Sequence, residues 1–438
     1  MLKIYLINDT SNHPNWGSQA TSAALKRLIK SAGGDLFATL PLKQLSKANW
    51  HSTAKRQSFS NFVKARAKGN KITKKLASVT LNRLITKLPD VIPQNYSQFA
   101  SYAKKLKNAE LLQDVANNIK VADVILINGE GGIKDKNRES RAMLFLAYVA
   151  KTVYNKPVAF INHTADFCHP DLREMAQNVY PILDDVVFRE SYSAQKCSEF
   201  VQASVAADVG FYFKPAQYTD WLKLASRPAY YNLPECSNEF DPSKPYICIG
   251  GSSAYSKKNY PDFRKLCQLL KEEFSQVVLT TSAKIDEEIF YPIAKELNLA
   301  LIPLNTSPQQ AVDILGNARA YIGGRWHGAI FAFSGGAAVI PLASENFKLA
   351  ALMQQMQVET EIFDAFKFDE KQIVKLTKDI IAQGDLRNKI LARANILSST
   401  ISRHLAIIPG TKTEQSNLDI GNNILNKELS KQEGILYN

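Results

Sequence analysis

The chain alternates short apolar runs with amphipathic stretches of helical periodicity, and this alternation restricts it to folds built on a parallel sheet. We predict strands at residues 3–8, 124–128, 158–162, 185–188, 246–250, 277–281, 300–303, 320–322 and 338–342. We predict helices at residues 19–32, 138–154, 191–200, 262–274, 285–296, 308–317 and 330–334. Strands that alternate with helices pair in parallel and are covered by helices on both faces, so the predicted fold class is α/β.

The length and a proline-rich connection divide this pattern into two domains. A chain of 438 residues exceeds the usual size of one domain. Residues 214–245 contain Pro215, Pro228, Pro234 and Pro242, and a new strand-loop-helix unit follows them. We therefore predict two doubly wound, Rossmann-like domains that face each other across a cleft, as in the GT-B architecture. The expected domains are residues 1–235 and 245–410, and residues 411–438 are expected to form a polar tail.

The net charge of +13 is concentrated in one segment of the N-terminal domain. From Lys43 to Lys107 there are fifteen Lys or Arg and one acidic residue, which predicts a basic helical insertion at about 43–110. Such a patch suits a polyanionic surface, and its apolar residues at helical spacing favour an anionic membrane surface. Lys-rich helices that only face solvent explain the charge equally well. Nucleic acid is not expected as a partner, because no binding motif for it accompanies the charge.

Several classes of protein are disfavoured by the sequence. No run approaches the ~20 apolar residues of a membrane-spanning helix, and the first residues are typical of a strand rather than a secretion leader. The five cysteines stand singly, which favours reduced thiols and argues against a metal site. We therefore expect a cytoplasmic protein without a bound metal, located on the inner face of the plasma membrane if the basic segment binds lipid.

In the C-terminal domain, the strand at 320–322 leads into the sequence GGRWHG at residues 323–328. Ligands of doubly wound sheets bind beyond the carboxyl ends of strands, and a helix N-terminus that carries Arg325 and His327 favours an anion there. The alternative is that Arg325 forms a structural ion pair. Further phosphate contacts are expected from polar residues that follow the first and last strands of this domain: Ser252, Ser253, Lys257 and Lys348.

Loops at strand ends of the N-terminal domain carry polar side chains that the same reasoning places at the cleft. Glu130 stands among glycines in the sequence NGEGG at residues 128–132, which lets the backbone approach a ligand closely. Arg189 can bind a carboxylate or phosphate, although a salt bridge within the domain would also explain it. Asn15 and Trp16 precede a helix, while His163 and Asp166 are candidates for an acid, a base or a sugar contact. Each of these has an ordinary structural explanation as well.

Four sequence elements together resemble the polysaccharide pyruvyl transferase family: Asn15-Trp16-Gly17, NGEGG, Arg189-Glu190-Ser191 and Arg325-Trp326-His327. The resemblance covers roughly residues 1–355 without the basic insertion. It implies a GT-B-like fold in which an Arg-x-His motif binds phosphoenolpyruvate and donates a proton. The implied reaction moves the enolpyruvyl carbon onto two sugar hydroxyls, giving a cyclic pyruvate ketal and phosphate without a metal or other cofactor.

The resemblance also implies roles for individual residues. Arg325 and Arg189 would hold the carboxylate and the phosphate, and His327 would protonate the enol carbon or the departing phosphate. From the strand-end positions and the resemblance together, we predict His327, Arg325 and Glu130 as catalytic residues, and Asn15, Trp16, His163 and Asp166 as acceptor contacts.

The chain departs from the family pattern in three places. The family often has Asp after the glycine of the first loop, where this chain has Ser18. Glu130 interrupts the family's glycine run, and Glu190 replaces the Asp of an Arg-Asp pair. The NGEGG form indicates a subgroup, and the departures concern the acceptor side more than the donor side.

Two other functions fit the sequence. A GT-B-type glycosyltransferase would use a nucleotide-sugar, with Glu130 or Asp166 as the base and the loops at Ser252 and Ser344 around the diphosphate. A non-catalytic protein would bind a glycan or a membrane surface through the basic segment, but it would not need Glu130 and His327 at one cleft. For either enzyme the expected acceptor is a glycan or a lipid-linked glycan.

Overall fold

The computed structural model describes residues 1–46, 90–216, 240–242, 244–254, 257–344 and 346–411. Most of the basic insertion, the middle of the proline-rich connection and the polar tail, at residues 47–89, 217–239 and 412–438, lie outside the described residues. The side chain of Lys257 lies outside them as well. Membrane binding by the basic segment and phosphate binding by Lys257 therefore stay predictions.

The first sheet has six parallel strands in the order β2-β1-β3-β4-β5-β6. The strands are β1 (Leu2–Asp9), β2 (Gly34–Pro41), β3 (Val124–Asn128), β4 (Val158–His163), β5 (Asp185–Phe188) and β6 (Ser204–Val205). Its helices are α1 (Trp16–Ser31), α2 (Leu42–Leu45), α3 (Phe99–Lys107), α4 (Gln113–Val121), α5 (Arg138–Thr152), α6 (Pro170–Val179) and α7 (Ser191–Cys197). Ile4 and Leu6 of β1 face one apolar core, while Tyr5 and Ile7 face another, so helices cover both faces of the sheet.

The second sheet has five parallel strands in the order β11-β10-β7-β8-β9. The strands are β7 (Ile247–Ser252), β8 (Val277–Thr280), β9 (Ala300–Ile302), β10 (Ala320–Gly324) and β11 (Ala338–Pro341). The helices are α8 (Tyr260–Glu273), α9 (Lys284–Leu297), α10 (Pro308–Asn317), α11 (Trp326–Ser334), α12 (Lys348–Met356), α13 (Glu370–Ile381) and α14 (Leu386–Thr400). Among the helices within the described ranges, none combines the length and the apolar character needed to cross a bilayer.

The predicted α/β class is confirmed, and each of the nine predicted strands is present. The sequence-based prediction lacks β2 and β6. β2 is an edge strand whose residues are mostly half-exposed, and β6 has only two residues, so neither produces a continuous apolar run. The prediction also lacks α4, α6 and the last three helices, and it places the start of α11 at residue 330 instead of Trp326.

The last helix, α14, runs back from the second domain to the first. The backbone N–H of Ala207 donates to Oγ1 of Thr400 at 3.0 Å. In the turn after α14, Arg403 forms an ion pair with Asp185 of β5 at 2.5 Å. The predicted boundaries assign residues 245–410 to the C-terminal domain, but the end of this range contacts the first sheet directly. The two domains are therefore tied together at a second point besides the proline-rich connection.

Candidate functional site

Three buried asparagines stand at the cleft ends of adjacent strands in the first sheet. Nδ2 of Asn8 donates to the carbonyl of Asn128 at 2.6 Å, and Nδ2 of Asn162 donates to Oδ1 of Asn128 at 3.4 Å. Asn8 and Asn162 have φ angles of 67° and 54°, in the left-handed region that asparagine tolerates better than most residues. Oδ1 of Asn128 also accepts the backbone N–H of Glu130 at 3.3 Å. This ladder turns the chain out of the strands and orients the Glu130 loop.

Glu130 lies almost buried on the first domain's side of the cleft. Oγ of Ser18 donates to its Oε1 at 3.2 Å, and Nη1 of Arg189 donates to its Oε2 at 2.9 Å. Oε2 also lies 3.8 Å from Nε2 of His327, which belongs to the second domain. The structure therefore brings Glu130 and His327, both predicted as catalytic, to one place.

Arg189 is a cation buried within the first domain's wall. Its Nε donates to Oγ1 of Thr164 at 3.0 Å, and Nη1 donates to both Glu130 and Asp208 at 2.9 Å. Its guanidinium also lies over the ring of Trp326, 4.8 Å from the centroid. Burial lowers the pKa of Arg189, but the two carboxylates outweigh burial and raise it above its ordinary value. The predicted anion-binding arginine lines the cleft, and much of its charge is balanced by protein carboxylates.

Asp208 is a buried site residue that the sequence analysis did not single out. Its Oδ2 accepts from Nη1 of Arg189 at 2.9 Å and from Nε1 of Trp326 at 3.0 Å. Burial acts to raise the pKa of Asp208, but His327 and Arg189 hold it far below its ordinary value. The carboxylate therefore stays ionised. It follows β6, which is too short to be recognised from sequence.

His327 projects from the first turn of α11 toward the first domain. Its Nε2 lies 3.7 Å from Oδ1 of Asp208 and 3.8 Å from Oε2 of Glu130. Both distances exceed a hydrogen bond, and this buried nitrogen has no hydrogen-bond partner among the described residues. A short movement of the ring toward either carboxylate, or toward a ligand, would give Nε2 a hydrogen-bond partner. The ring is therefore placed to hold and to give away a proton.

Glu130, Asp208 and His327 also resemble a set of metal ligands, since their ligand atoms lie within 4.8 Å of one another. Nη1 of Arg189, however, already lies 2.9 Å from both carboxylates. A divalent ion at their centre would have to displace this guanidinium or accept repulsion from it. These residues therefore fit a proton-transfer cluster, in which Arg189 supplies the positive charge, better than a metal centre.

Arg325 precedes α11 and faces the cleft from the second domain. Its Nη2 donates to Oδ1 of Asp286 at 2.6 Å, and Nε donates to Oδ2 at 3.2 Å. Asp286 is fully buried near the start of α9, and Gly251 makes room for it, because a Cβ on Gly251 would lie 2.0 Å from Oδ1. Arg325 therefore forms the structural ion pair that was the alternative expectation for it, and it also lines the cleft. The sequence analysis did not identify Asp286, which holds Arg325 in place.

The rest of the second domain's wall consists of helix N-termini and of neutral or basic side chains. α11 and α12 begin at this wall, and neither N-cap side chain accepts a hydrogen bond from its own helix. Nζ of Lys348 donates to the carbonyl of Gly131 across the cleft at 3.3 Å. Removal of this ammonium from water, and then repulsion from Arg189, lowers the pKa of Lys348 to about 8. The cleft holds about 720 Å³ including its open mouth, and its walls also include Ser253, Ser282, Ser344 and Asn346.

The loop at the start of α1 closes the cleft from the first domain. Oδ1 of Asn15 caps α1 by accepting the backbone N–H groups of Gly17 and Ser18. Nε1 of Trp16 donates to the carbonyl of Thr281 in the second domain at 2.7 Å, and its ring stacks on Phe331. Both predicted acceptor residues line the cleft. Their polar groups serve the helix cap and the domain contact.

Three predicted contacts need correction. The ring of His163 points into the core of the first domain, where it is fully buried beside Phe160 and hydrogen-bonded to the hydroxyl of Tyr180. Oγ of Ser252 is buried as well and donates to the carbonyl of Ala343. Asp166 lies outside the cleft lining, where it pairs with Lys196 and Asn346. The strand-end rule places residues at the correct edge of a sheet, but it does not determine where their side chains point.

Comparison with known proteins identifies one matching family. The family model described as polysaccharide pyruvyl transferase matches residues 15–346, a range that contains Asn15, Glu130, Arg189 and His327. No curated protein sequence matches the chain.

Solved structures with the same fold include nucleotide-sugar enzymes. A Listeria monocytogenes protein solved as a UDP-N-acetylglucosamine 2-epimerase is 10% identical, with a TM-score of 0.50 over 94% of this chain and 99% of that one. The UDP-N-acetylglucosamine 2-epimerase from Rickettsia bellii is 13% identical, with a TM-score of 0.49 over 92% and 96%. The spinosyn rhamnosyltransferase SpnG is 12% identical, with a TM-score of 0.45 over 91% and 95%. The two parallel sheets and the likeness to the Listeria monocytogenes structure confirm the predicted GT-B-like fold, and at 10% identity that likeness concerns the fold alone.

Proposed function

Because the chain belongs to the polysaccharide pyruvyl transferase family, a family of transferases, we propose that it moves pyruvate from phosphoenolpyruvate onto a sugar as a ketal during bacterial surface-polysaccharide biosynthesis. The observation that carries this proposal is a wall of helix N-termini and basic side chains placed directly beside a histidine–carboxylate cluster. Phosphoenolpyruvate carries a carboxylate and a phosphate, so it needs two anion contacts next to a proton donor.

The donor binds along the second domain's wall in this proposal. The N-termini of α11 and α12 favour anions through their backbone N–H groups and helix dipoles. Arg325, whose charge is balanced by Asp286, offers guanidinium N–H donors to the cleft, and Lys348 adds positive charge there. Ser253 and Ser344 line the same wall with hydroxyl groups. Arg189 contributes less to the net attraction, because Glu130 and Asp208 already share its charge.

The proposed chemistry uses His327 as the acid and Glu130 as the base. His327 gives a proton to the methylene carbon of phosphoenolpyruvate, while a sugar hydroxyl attacks the neighbouring carbon and loses its proton to Glu130. A second hydroxyl then attacks the same carbon, the bond to the phosphate oxygen breaks, and the phosphate departs with the second hydroxyl's proton. Glu130 and His327 lie 3.8 Å apart, so the first proton can return to the ring for the next turnover.

A nucleotide-sugar glycosyltransferase is the second candidate function. Glu130 favours it, because a carboxylate base opposite an anion-binding wall also suits attack by a hydroxyl on a sugar diphosphate. The two candidates differ in their donor, and donor binding therefore separates them.

A thermal-shift screen tests the proposal with phosphoenolpyruvate and a panel of nucleotide-sugars. At a concentration 100-fold above Kd, a bound donor stabilises the protein by about 2.7 kcal/mol. We expect phosphoenolpyruvate to raise the Tm of the wild type and of Arg264→Ala, which loses surface contacts with Glu296 and Gln268 away from the cleft. Arg325→Ala should lose this response. Stabilisation by a nucleotide-sugar without any response to phosphoenolpyruvate would overturn the proposal in favour of the second candidate.

The acceptor and the location complete the proposal. We propose a glycan or lipid-linked glycan acceptor, reached in the cytoplasm at the membrane's inner face, with phosphoenolpyruvate as a co-substrate and without a metal or other cofactor. The fifteen Lys and Arg residues between Lys43 and Lys107 support the membrane contact through their charge. Liposome binding tests this part independently of catalysis.

A further inference from the structure

We propose that Asp208 is a positioning residue that orients His327, and attracts the proton on its ring, across the boundary between the two domains. Asp208 belongs to the first domain and His327 to the second. The inference rests on the proposed function only in taking His327 as the proton donor.

Asp208 stands where the chain leaves the first sheet, and one carboxylate binds two parts of the site. Its Oδ1 accepts the backbone N–H of Gly210 at 2.7 Å, which fixes the carboxylate in its own loop. Its Oδ2 accepts Nε1 of Trp326 at 3.0 Å, so it holds the residue immediately before His327. Oδ1 then lies 3.7 Å from Nε2 of His327. The carboxylate thereby sets the position of both Trp326 and the ring that follows it.

The imidazole lies in a narrow slot formed by the backbone of the first domain. A Cβ on Gly17 would lie 2.5 Å from three atoms of His327, and a Cβ on Gly210 would lie 3.4 Å from Cδ2. The ring is therefore enclosed by two glycines, with its Nε2 edge toward Asp208 and Glu130. A ring held in this way has little freedom to turn to another partner.

Charged groups surround the slot. Glu130 and Asp208 bring two negative charges to the Nε2 edge of the ring, and Arg189 brings one positive charge beside them. On the ring's own side, Arg325 is neutralised by Asp286. Other charged or titratable groups near the cluster are Lys348 on α12 and His13, which interacts electrostatically with Glu130. Glu190 and His163 interact in the same way with Arg189, and His404 with Asp208.

The variant Asp208→Asn removes the charge and keeps an oxygen that can accept from Trp326. NMR with labelled histidine can follow the ring directly, because the chain has only six histidines. We expect the His327 titration in Asp208→Asn to move to lower pH by about one unit or more, since an opposite charge at this distance favours the charged form. The alkaline limb of kcat/KM should move the same way, while KM for phosphoenolpyruvate changes little. Asp208→Glu, which keeps the charge, should restore most of the titration.

Asp313→Asn is the matched control, because Asp313 is equally buried but lies on α10 away from the cleft. In Asp313→Asn, His327 should titrate at the same pH as in the wild type. If Asp208→Asn does not fold, the carboxyl ¹³C signal of Asp208 in the wild type provides the second measurement, and it should show a step where His327 titrates. Identical His327 titrations in the wild type and a folded Asp208→Asn, or the absence of that step, would overturn the proposal. Both NMR measurements are made without a substrate. Their results can therefore be interpreted even if phosphoenolpyruvate is not the donor.

Discussion

Gly17 lies so close to His327 that it has no room for a side chain, which makes Gly17→Ala a direct test of the contact between the domains. A Cβ on Gly17 would lie 2.5 Å from Cβ, Cγ and Nδ1 of His327. Gly17 is the second residue of α1 and does not have a positive φ, so alanine brings no conformational strain of its own. The effect of the substitution therefore comes from the collision with the ring.

The size of the effect follows from the geometry. Carbon atoms in contact normally lie about 3.5–4.0 Å apart, so the ring or the whole α1 loop must move by about 1 Å. Overpacking of this kind costs about 1–3 kcal/mol of stability. A displacement of about 1 Å at a catalytic group costs about 10²-fold in rate. The KM for phosphoenolpyruvate should remain near that of the wild type, because Arg325 and Lys348 lie on the other wall.

The assay is phosphate release from phosphoenolpyruvate in the presence of a glycan acceptor, together with the Tm of each variant. Gly384→Ala is the matched control, since a Cβ there meets nothing within 4 Å. It should behave as the wild type. A folded Gly17→Ala with wild-type kcat would refute the placement of His327 against α1, and an equal loss in Gly384→Ala would show that the effect is not local.

Four further predictions concern His327, Lys348, Asp286 and the basic segment. His327→Gln should lower kcat by about 10²–10⁴-fold with little change in donor affinity, measured by phosphate release and thermal shift; equal losses in both would contradict its role as an acid. Because the pKa of Lys348 is lowered to about 8, its ammonium is present below that pH and is lost above it. Phosphoenolpyruvate affinity should therefore fall as the pH rises through about 8, and Lys348→Arg should remove this dependence. Asp286→Asn should weaken phosphoenolpyruvate binding by releasing Arg325, and it should cost about 3–5 kcal/mol of stability because a buried ion pair is broken; an unchanged Tm would contradict the pairing. Binding to anionic liposomes in low salt should weaken when the following residues are neutralised: Lys71, Lys74, Lys75 and Arg83.

Strands that are buried on both faces are the elements of the fold that the sequence predicts best. β3 has the sequence VILIN, and each of its residues is buried, so an unbroken apolar run marks it clearly. β2 lies at the edge of its sheet, and most of its residues are half-exposed. Its sequence therefore lacks the unbroken apolar run that marks β3. α14 contacts both domains, so its apolar residues do not form the single stripe by which a surface helix is recognised.

The candidate site was predictable as a location but not as a set of contacts. Motifs directly after long strands were found, because the carboxyl ends of parallel strands meet at one edge. Asp208 and Asp286 were missed because β6 is too short to recognise and because Asp286 lies 39 residues before Arg325 inside a helix. One signal remained unused: β1, β3 and β4 carry the same Ile-Asn pair at their cleft ends. That repeat corresponds to the buried asparagine ladder which orients the Glu130 loop.

Two departures from the family pattern, Ser18 and Glu130, turn out to contact each other. Oγ of Ser18 donates to Oε1 of Glu130 at 3.2 Å. An aspartate at position 18 would place a third carboxylate beside Glu130 and Asp208, with Arg189 as their only bound cation among the described residues. Like charges so close repel strongly in a buried site, whereas a serine donates a hydrogen bond. The serine therefore belongs with the glutamate, because its hydroxyl satisfies one carboxylate oxygen of Glu130 without adding another negative charge to the cluster.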